Sequence, residues 1–144
     1  MGGYAGKILY IDLTSGNIET KPLDSKFARE YIGGLGFSTR IYLDLIKDKP
    51  EFDALSADNP FVLMTGPLTG MKMDAVARWT LGTKSPLTGL WGDSNIGGYF
   101  GAELKFAGYD GIVVTGEADK PTSIYIDDDT VRIRDANKYW GMDA

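Results

Sequence analysis

The stretch SNIGGYFGAELKFAGYDGIVVT, residues 94–115, decides the fold. It begins at the end of a short predicted strand, Leu90 to Asn95, and its glycine pair Gly97-Gly98 precedes a helix predicted over Tyr99 to Ala107. The apolar run Gly111 to Thr115 then predicts a buried strand. A strand, a glycine turn, a helix and another strand in succession indicate a protein that combines sheet and helix.

The flanking segments predict further short elements. Towards the N-terminus, Lys7 to Leu13 and Ile18 to Leu23 enclose a turn and predict a β-hairpin. Gly33-Gly34 ends a first predicted helix. The other predicted elements are a helix at Phe37 to Ile46 and strands at Phe61 to Thr65, Arg78 to Thr83, Ser123 to Ile126 and Val131 to Ile133. We therefore predict an α+β fold, a mixed β-sheet with short helices.

The length of the chain limits the number of domains that it can form. A chain of 144 residues suits one domain, and we predict a single domain over residues 1–144. Asp135 to Asn137 can cap a helix, yet only Lys138 to Ala144 follow. This ending favours a truncated piece of a longer protein.

Composition excludes several kinds of chemistry. The formal net charge of −5 argues against nucleic-acid partners, which need clustered Lys and Arg. Cys and His are both absent, so the chain offers no thiolate, no Ser-His pair and no cysteine ligands for an iron–sulfur cluster. No apolar run approaches the ~20 residues of a membrane span, and no secretion signal is recognisable. These features predict a cytoplasmic protein with no membrane partner.

The turn after Asn95 is the first candidate binding site. Glycines let the backbone approach a ligand closely, and the free N–H groups at a helix start attract anions. The alternative is an ordinary tight turn whose helix packs through Phe100 and Leu104. The spacing of Gly97 and Gly98 does not match GxGxxG, so a dinucleotide fold is not supported.

Other residues carry weaker signals. Arg78 lies between two Gly/Pro-rich turns, where its guanidinium could bind a phosphate. The alternative is an ordinary surface charge at the end of a strand. Glu103 could act as a general acid or base, but its position favours a solvated helix residue. Asp127 to Asp129 lack calcium-loop spacing and favour a hairpin turn. Trp79 and Trp91 are core candidates that could also line a ligand face.

Five separated blocks of the sequence resemble the N-terminal domain of the tungsten-containing aldehyde ferredoxin oxidoreductases. The blocks are GKILYIDLTSG (6–16), YIGGLGFSTRIYLDL (31–45), ALSADNPFVLMTGPLTG (54–70), TKSPLTG (83–89) and GGYFGAELKFAGYDGIVVTGEADKPTSIYI (97–126). They occur in the family's order, and the resemblance runs from about Tyr4 to Gly141. Such agreement is more specific than any single glycine motif.

The resemblance implies a set of cofactors. In the family, the first domain consists of two related α+β halves, and the fold here resembles the first half. That domain carries two pterins whose dithiolenes hold tungsten, or molybdenum in some relatives, and magnesium bridges the pterin phosphates. The 4Fe-4S cluster and the candidate acid-base residues belong to later domains. The resemblance therefore implies no catalytic residue in this chain.

The resemblance also implies roles for particular residues. Arg78 resembles the family arginine that contacts the cofactor, and Asn95 resembles the residue whose backbone oxygen helps hold magnesium. Gly97 resembles the glycine of closest approach, and its neighbour Gly98 joins the cofactor-binding candidates. Ile96 departs from the pattern, because a smaller and more polar residue is expected there.

The function implied by the resemblance belongs to the full-length protein. That protein would oxidise aldehydes to carboxylic acids and pass electrons to ferredoxin, while this chain binds cofactor and is inactive alone. Two alternatives remain, a stand-alone module for another phosphate-bearing ligand and an interaction subunit whose sheet edge pairs with another chain. Loss of the second half would expose apolar surface, which predicts a homodimer.

Overall fold

A computed structural model of the protein describes residues 2–142. The strands are β1 Lys7–Asp12, β2 Asn17–Pro22, β3 Phe61–Thr65, β4 Trp79–Lys84, β5 Trp91–Ile96, β6 Gly111–Thr115, β7 Thr122–Asp127 and β8 Thr130–Asp135. The helices are α1 Ser25–Tyr31, α2 Leu35–Ile46 and α3 Phe100–Phe106, and a 3₁₀ turn follows at Asn137–Tyr139. The predicted α+β class, a mixed sheet with short helices, is confirmed.

Six strands form the main sheet, in the order β2-β1-β6-β3-β4-β5. β6 lies inside the sheet, parallel to β1 on one side and antiparallel to β3 on the other. Residues 111–114 of β6 are apolar, as expected where both faces of a sheet are covered, and Val113 is fully buried. The run of Gly111 to Thr115 is thus a central strand with the bounds predicted from the sequence.

The two faces of the sheet have separate cores. Alternate residues point to opposite faces, so Ile8 packs with Phe37 of α2 while its neighbour Leu9 packs with Leu104 of α3. α1 and α2 cover the first face. α3 covers the second face together with the two-stranded sheet formed by β7 and β8, which packs through alternating Ile and Val side chains.

A buried carboxylate fixes the start of the chain. Asp110 is 1% exposed, and its side chain accepts hydrogen bonds from the backbone N–H groups of Ala5 (3.0 Å) and Gly6 (2.6 Å). Lys105 of α3 contributes an ammonium group 2.7 Å from the same carboxylate. Removal of one partner from a buried ion pair is strongly destabilising. Asp110 therefore ties the N-terminal segment, α3 and the beginning of β6 together.

Most of the predicted elements are confirmed, with two instructive differences. The second helix begins at Leu35, earlier than the predicted Phe37, because Gly34 serves as its N-cap. After β8, where the sequence offers a helix cap at Asp135 to Asn137, the described part of the chain forms only the short 3₁₀ turn, and residues 143 and 144 lie outside the described residues. Across residues 2–142, none of the helices has the length and apolar character that crossing a bilayer requires.

Candidate functional site

Arg78 and Asn95, two of the predicted site residues, line one cleft of about 440 Å³. The cleft lies where four parts of the chain meet, namely the turn between α1 and α2, the loop after β3, the start of β4 and the end of β5. Arg78 and Asn95 come together because β4 and β5 pair as an antiparallel hairpin, in which Trp79 is opposite Ile96. The pairing of β4 with β5 thus places the cationic residue Arg78 near the amide residue Asn95.

The loop that carries Arg78 is fixed by a buried threonine. Thr69 is 6% exposed, and its hydroxyl accepts a hydrogen bond from Gly66 N–H (3.0 Å) and donates one to the Arg78 carbonyl (2.8 Å). The Arg78 residue is exposed, and its guanidinium has no carboxylate within salt-bridge distance in residues 2–142. This guanidinium is therefore available to an anionic ligand at the cleft.

Asn95 presents different groups to the sheet and to its edge. The buried Thr80 hydroxyl donates to Asn95 Oδ1 (3.0 Å), and Asn95 Nδ2 donates to the Asp93 carboxylate (3.3 Å). Ser85 N–H donates to Leu90 O at the hairpin end, so the alternation of the ladder makes Thr80 and Asn95 a non-hydrogen-bonded pair. The backbone carbonyl of Asn95 consequently points outwards from β5, the edge strand of the sheet. An outward carbonyl oxygen is a suitable ligand for a hard cation.

The two glycines after β5 lie beside the cleft, and their environments differ. Gly97 is exposed, and a Cβ added there would meet no atom within 4 Å. Gly98 has a φ of +83°, a conformation that favours glycine, and it lines a second cavity of about 560 Å³ together with Met71 and Phe106. The two cavities share Ala75 and Val76. The four predicted site residues therefore do not all line one cavity.

The helix after these glycines gives little support for anion binding. α3 has seven residues, and its N-cap Tyr99 makes no side-chain capping hydrogen bond. A helix of two turns has a small macrodipole, so its beginning is a weak anion site. The free space at Gly97 and the orientation of Asn95 are better indications of ligand binding than the helix itself.

The turn before α2 belongs to the same cleft, which was not predicted from the sequence. Gly33, Gly34 and Leu35 also line the cleft, at the start of a helix of 12 residues. Gly34 N–H donates to Thr65 O (2.9 Å), and a Cβ on Gly33 would lie 2.9 Å from the same oxygen. The sequence pattern predicts this glycine pair only as the end of the first helix. The helical pattern on both of its sides was the signal that could have assigned it to α2 as well.

The remaining sequence candidates have structural roles. Trp79 packs on Phe100 with ring centroids 4.8 Å apart, Trp91 packs on Tyr42 at 4.6 Å, and neither lines the cleft. Glu103 is an exposed residue of α3, which agrees with the prediction of a solvated helix residue.

The three aspartates between β7 and β8 are part of a turn. The turn prediction is confirmed, and the Asp129 carboxylate accepts a hydrogen bond from Lys7 Nζ at 2.6 Å. This hydrogen bond lowers the pKa of Asp129 below its ordinary value. Among residues 2–142, no group of three or more His, Cys, Asp or Glu side chains could hold a metal ion. Any metal in this region would need ligands other than such a group.

Comparison with known proteins gives consistent matches over nearly the whole chain. A family profile described as "Aldehyde ferredoxin oxidoreductase, N-terminal domain" matches residues 8–144. The "Tungsten-containing aldehyde ferredoxin oxidoreductase" of Pyrococcus horikoshii is 48% identical over 141 residues, which are 98% of this chain and 23% of that protein. The "Aliphatic sulfonate oxidoreductase, WOR-like subunit" of Pyrococcus furiosus is 40% identical over 147 residues, covering 99% of this chain and 23% of the relative.

A solved structure has the same fold. A chain of the "Active site complex BamBC of Benzoyl Coenzyme A reductase in complex with 1,5 Dienoyl-CoA" superposes with a TM-score of 0.92 at 36% identity. The match covers 96% of this chain and 21% of that chain. The present chain thus spans about a quarter of the length of the proteins that it matches.

Proposed function

Because the chain belongs to the aldehyde ferredoxin oxidoreductase family, as its N-terminal domain, we propose that it binds the phosphate end of a tungsten–pterin cofactor in a longer oxidoreductase. The cleft lined by Arg78 and Asn95 is the proposed site. The relatives named as tungsten-containing enzymes support the choice of metal, and molybdenum is the second possibility.

The observation that carries this proposal is the combination of groups at the cleft. Arg78 offers a guanidinium without a carboxylate partner in the described residues, and Asn95 offers an outward carbonyl at the sheet edge. A guanidinium suits a phosphate group, and a carbonyl oxygen suits the magnesium ion that would neutralise that phosphate. The open space at Gly97 leaves room for the organic part of the ligand.

The residues of this chain would bind and orient the cofactor without taking part in redox chemistry. The bound cofactor supplies the two-electron chemistry at its metal. The chain contains no Cys, so the ligands of a 4Fe-4S cluster would have to come from other parts of the full-length protein. The roles of Arg78 and Asn95 are thus limited to charge neutralisation and positioning of the phosphate end.

We propose aldehydes as substrates of the full-length protein and ferredoxin as its electron acceptor. Oxidation of an aldehyde with water to a carboxylic acid releases two electrons and two protons, and ferredoxin molecules would accept the electrons one at a time. The proteins named as aldehyde ferredoxin oxidoreductases support this choice. Similar chains also occur in a sulfonate oxidoreductase and a benzoyl coenzyme A reductase, so the substrate is selected elsewhere in these proteins.

The test compares two arginine variants of the full-length protein, purified without oxygen. Arg78→Ala removes the free guanidinium, whereas Arg40→Ala removes an exposed arginine of α2 that pairs with Asp44 at 2.7 Å. Loss of a charge-assisted contact should lower cofactor affinity about tenfold or more. We therefore expect metal analysis to find less tungsten and magnesium per polypeptide in Arg78→Ala and wild-type amounts in Arg40→Ala.

Two results would contradict the proposal. The first is a wild-type protein that contains neither tungsten nor molybdenum. The second is full retention of metal and pterin by the Arg78→Ala protein. Thermal unfolding of both variants serves as the control for folding, because exposed substitutions should change stability by less than about 0.5 kcal/mol.

A further inference from the structure

The turn between α1 and α2 holds an isoleucine in a backbone conformation that suits glycine. Ile32 has φ 66° and ψ −56°, and Gly33 N–H donates a hydrogen bond to Tyr31 O at 2.7 Å. These values define a γ-turn of the positive-φ kind, which is rare and strained. Positive φ is least favourable for a β-branched side chain. Ile32 is therefore a strained residue, and the surrounding structure must hold it in place.

Hydrogen bonds on both sides of Ile32 hold the turn. Ile32 N–H donates to Ala28 O (3.0 Å) in α1, and the Tyr4 hydroxyl donates to Ile32 O (2.7 Å). The Tyr4 ring stacks on Phe37 of the first core, with the ring centroids 6.2 Å apart. The turn cannot relax without loss of these contacts, so its conformation is fixed before any ligand binds.

The fold of the described chain makes no use of the Ile32 side chain. This side chain belongs to neither of the two cores, and the residue is 58% exposed. It lines the same cleft as Arg78 and Asn95, together with the exposed Leu35 and Leu68. The cleft therefore has an aliphatic surface beside its polar groups. Exposure of this surface to water is unfavourable, and at Ile32 that free energy adds to the backbone strain.

The other residues with an unfavourable φ have simpler explanations. Among the non-glycine residues of 2–142, Ala75 (φ 61°) and Asp128 (φ 50°) also have positive φ. Asp128 lies in the two-residue turn between β7 and β8, where aspartate is common. Ala75 has no side chain beyond Cβ. A glycine at position 32 would form the same turn without strain, so the isoleucine side chain indicates a role outside this part of the fold.

We propose that Ile32 is a ligand-contacting residue of the cofactor site, whose side chain packs against the flat ring system of the pterin. This inference rests on the proposed function of the cleft. Contact with the ring would remove from water an aliphatic surface that is exposed in the described chain. The strained turn orders this side chain before the ligand arrives, which lowers the entropy lost on binding. Burial against the ligand would then offset the strain in the loaded protein.

Two substitutions in the full-length protein separate the side chain from the strain. Ile32→Ala shortens the side chain and keeps the unfavourable φ, whereas Ile32→Gly removes both. Tungsten and pterin released from each loaded protein into a buffer with EDTA are followed over time by metal analysis and pterin fluorescence. Both variants should release the cofactor about tenfold faster than the wild type, because most of an aliphatic contact is lost. A wild-type release rate in Ile32→Ala would overturn the proposal.

The cofactor-free proteins, produced without tungsten or molybdenum, give a second readout. Ile32→Gly relieves the strained turn, so its unfolding temperature without cofactor should equal or exceed that of the wild type. If another part of the polypeptide covers Ile32, both variants should unfold at a lower temperature and release the cofactor at the wild-type rate. That result would overturn the proposal. Leu43→Ala is the matched control, because Leu43 is an exposed residue of α2 outside the cleft.

Two further variants in the same release assay complete the test. Ile32→Val removes one methylene group and should release the cofactor no more than about fourfold faster than the wild type. Arg78→Ala distinguishes this inference from the proposed function. Faster release from Arg78→Ala together with wild-type release from Ile32→Ala would overturn the Ile32 contact and leave the proposed cleft in place. Wild-type release from both would overturn the cleft and the Ile32 contact together.

Discussion

The two glycine turns near the cleft differ in how much room a side chain would have at the glycine. At the turn before α2, a Cβ on Gly33 would lie 2.9 Å from Thr65 O and 3.0 Å from the Cα of Gly66. At the turn after β5, a Cβ on Gly97 would meet open space. The fold itself requires the first glycine, whereas nothing in the described chain requires the second. An unexplained glycine beside Asn95 is therefore the better indication of a ligand.

The largest effect is expected from Gly33→Ala. The added methyl group would contact backbone atoms that cannot move away, and the φ of +152° is unfavourable for alanine. We expect a loss of about 3 kcal/mol in the free energy of unfolding, measured by urea denaturation. Wild-type stability of this variant would show that the turn is looser than its contacts indicate.

A smaller loss is expected from Gly98→Ala. Here only the backbone conformation matters, because the φ is +83° while a Cβ would meet no atom within 4 Å. A non-glycine residue in this region costs about 1–2 kcal/mol. In the same denaturation experiment, the free energy of unfolding of this variant should lie between those of Gly33→Ala and the wild type. A loss as large as that of Gly33→Ala would contradict the distinction between a packed turn and an open turn.

Thr80→Val tests the residue that connects the two turns. The Thr80 hydroxyl donates to Asn95 Oδ1 and would also be 3.3 Å from a Cβ on Gly34. Valine keeps the shape and removes the hydrogen bond, so we expect a loss of about 1 kcal/mol and a modest fall in cofactor content. Unchanged stability together with unchanged cofactor content would mean that the orientation of Asn95 does not depend on this bond.

The smallest effect on stability is expected from Gly97→Ala. Its conformation is not of the left-handed kind and its surroundings are open, so the free energy of unfolding should stay within about 0.5 kcal/mol of the wild type. If a ligand approaches this backbone, the same methyl group should lower the tungsten content of the purified full-length protein. A stable variant with full tungsten content would contradict the role of Gly97 in cofactor binding.

The sequence predicted the local elements well and their arrangement poorly. Phe61 to Thr65 and Gly111 to Thr115 were predicted with the observed bounds, because short apolar runs between turn residues have a strong local signal. The place of β6 between β1 and β3 depends on pairings across many residues, and no local pattern encodes it. The separate sheet of β7 and β8 was likewise not foreseen.

The site could be predicted in part for the same reason. Arg78 and Asn95 belong to one hairpin, so their proximity follows from neighbouring strands. The contribution of Gly33 and Leu35 depends on how α2 packs beside β3 and β4, which only the folded chain reveals. Whether the four predicted residues touch a cofactor stays a prediction.

The position of β6 has a consequence for synthesis on the ribosome. Until β6 emerges, the main sheet consists of two separate pieces, β1–β2 and β3–β4–β5. The hydrogen bonds from the Ala5 and Gly6 amides to the Asp110 carboxylate can form only after Asp110 is synthesised, 105 residues after Ala5. At a typical elongation rate this delay is about 5–20 seconds. We expect the nascent chain to remain accessible to chaperones during that interval and to complete its main sheet in one late step.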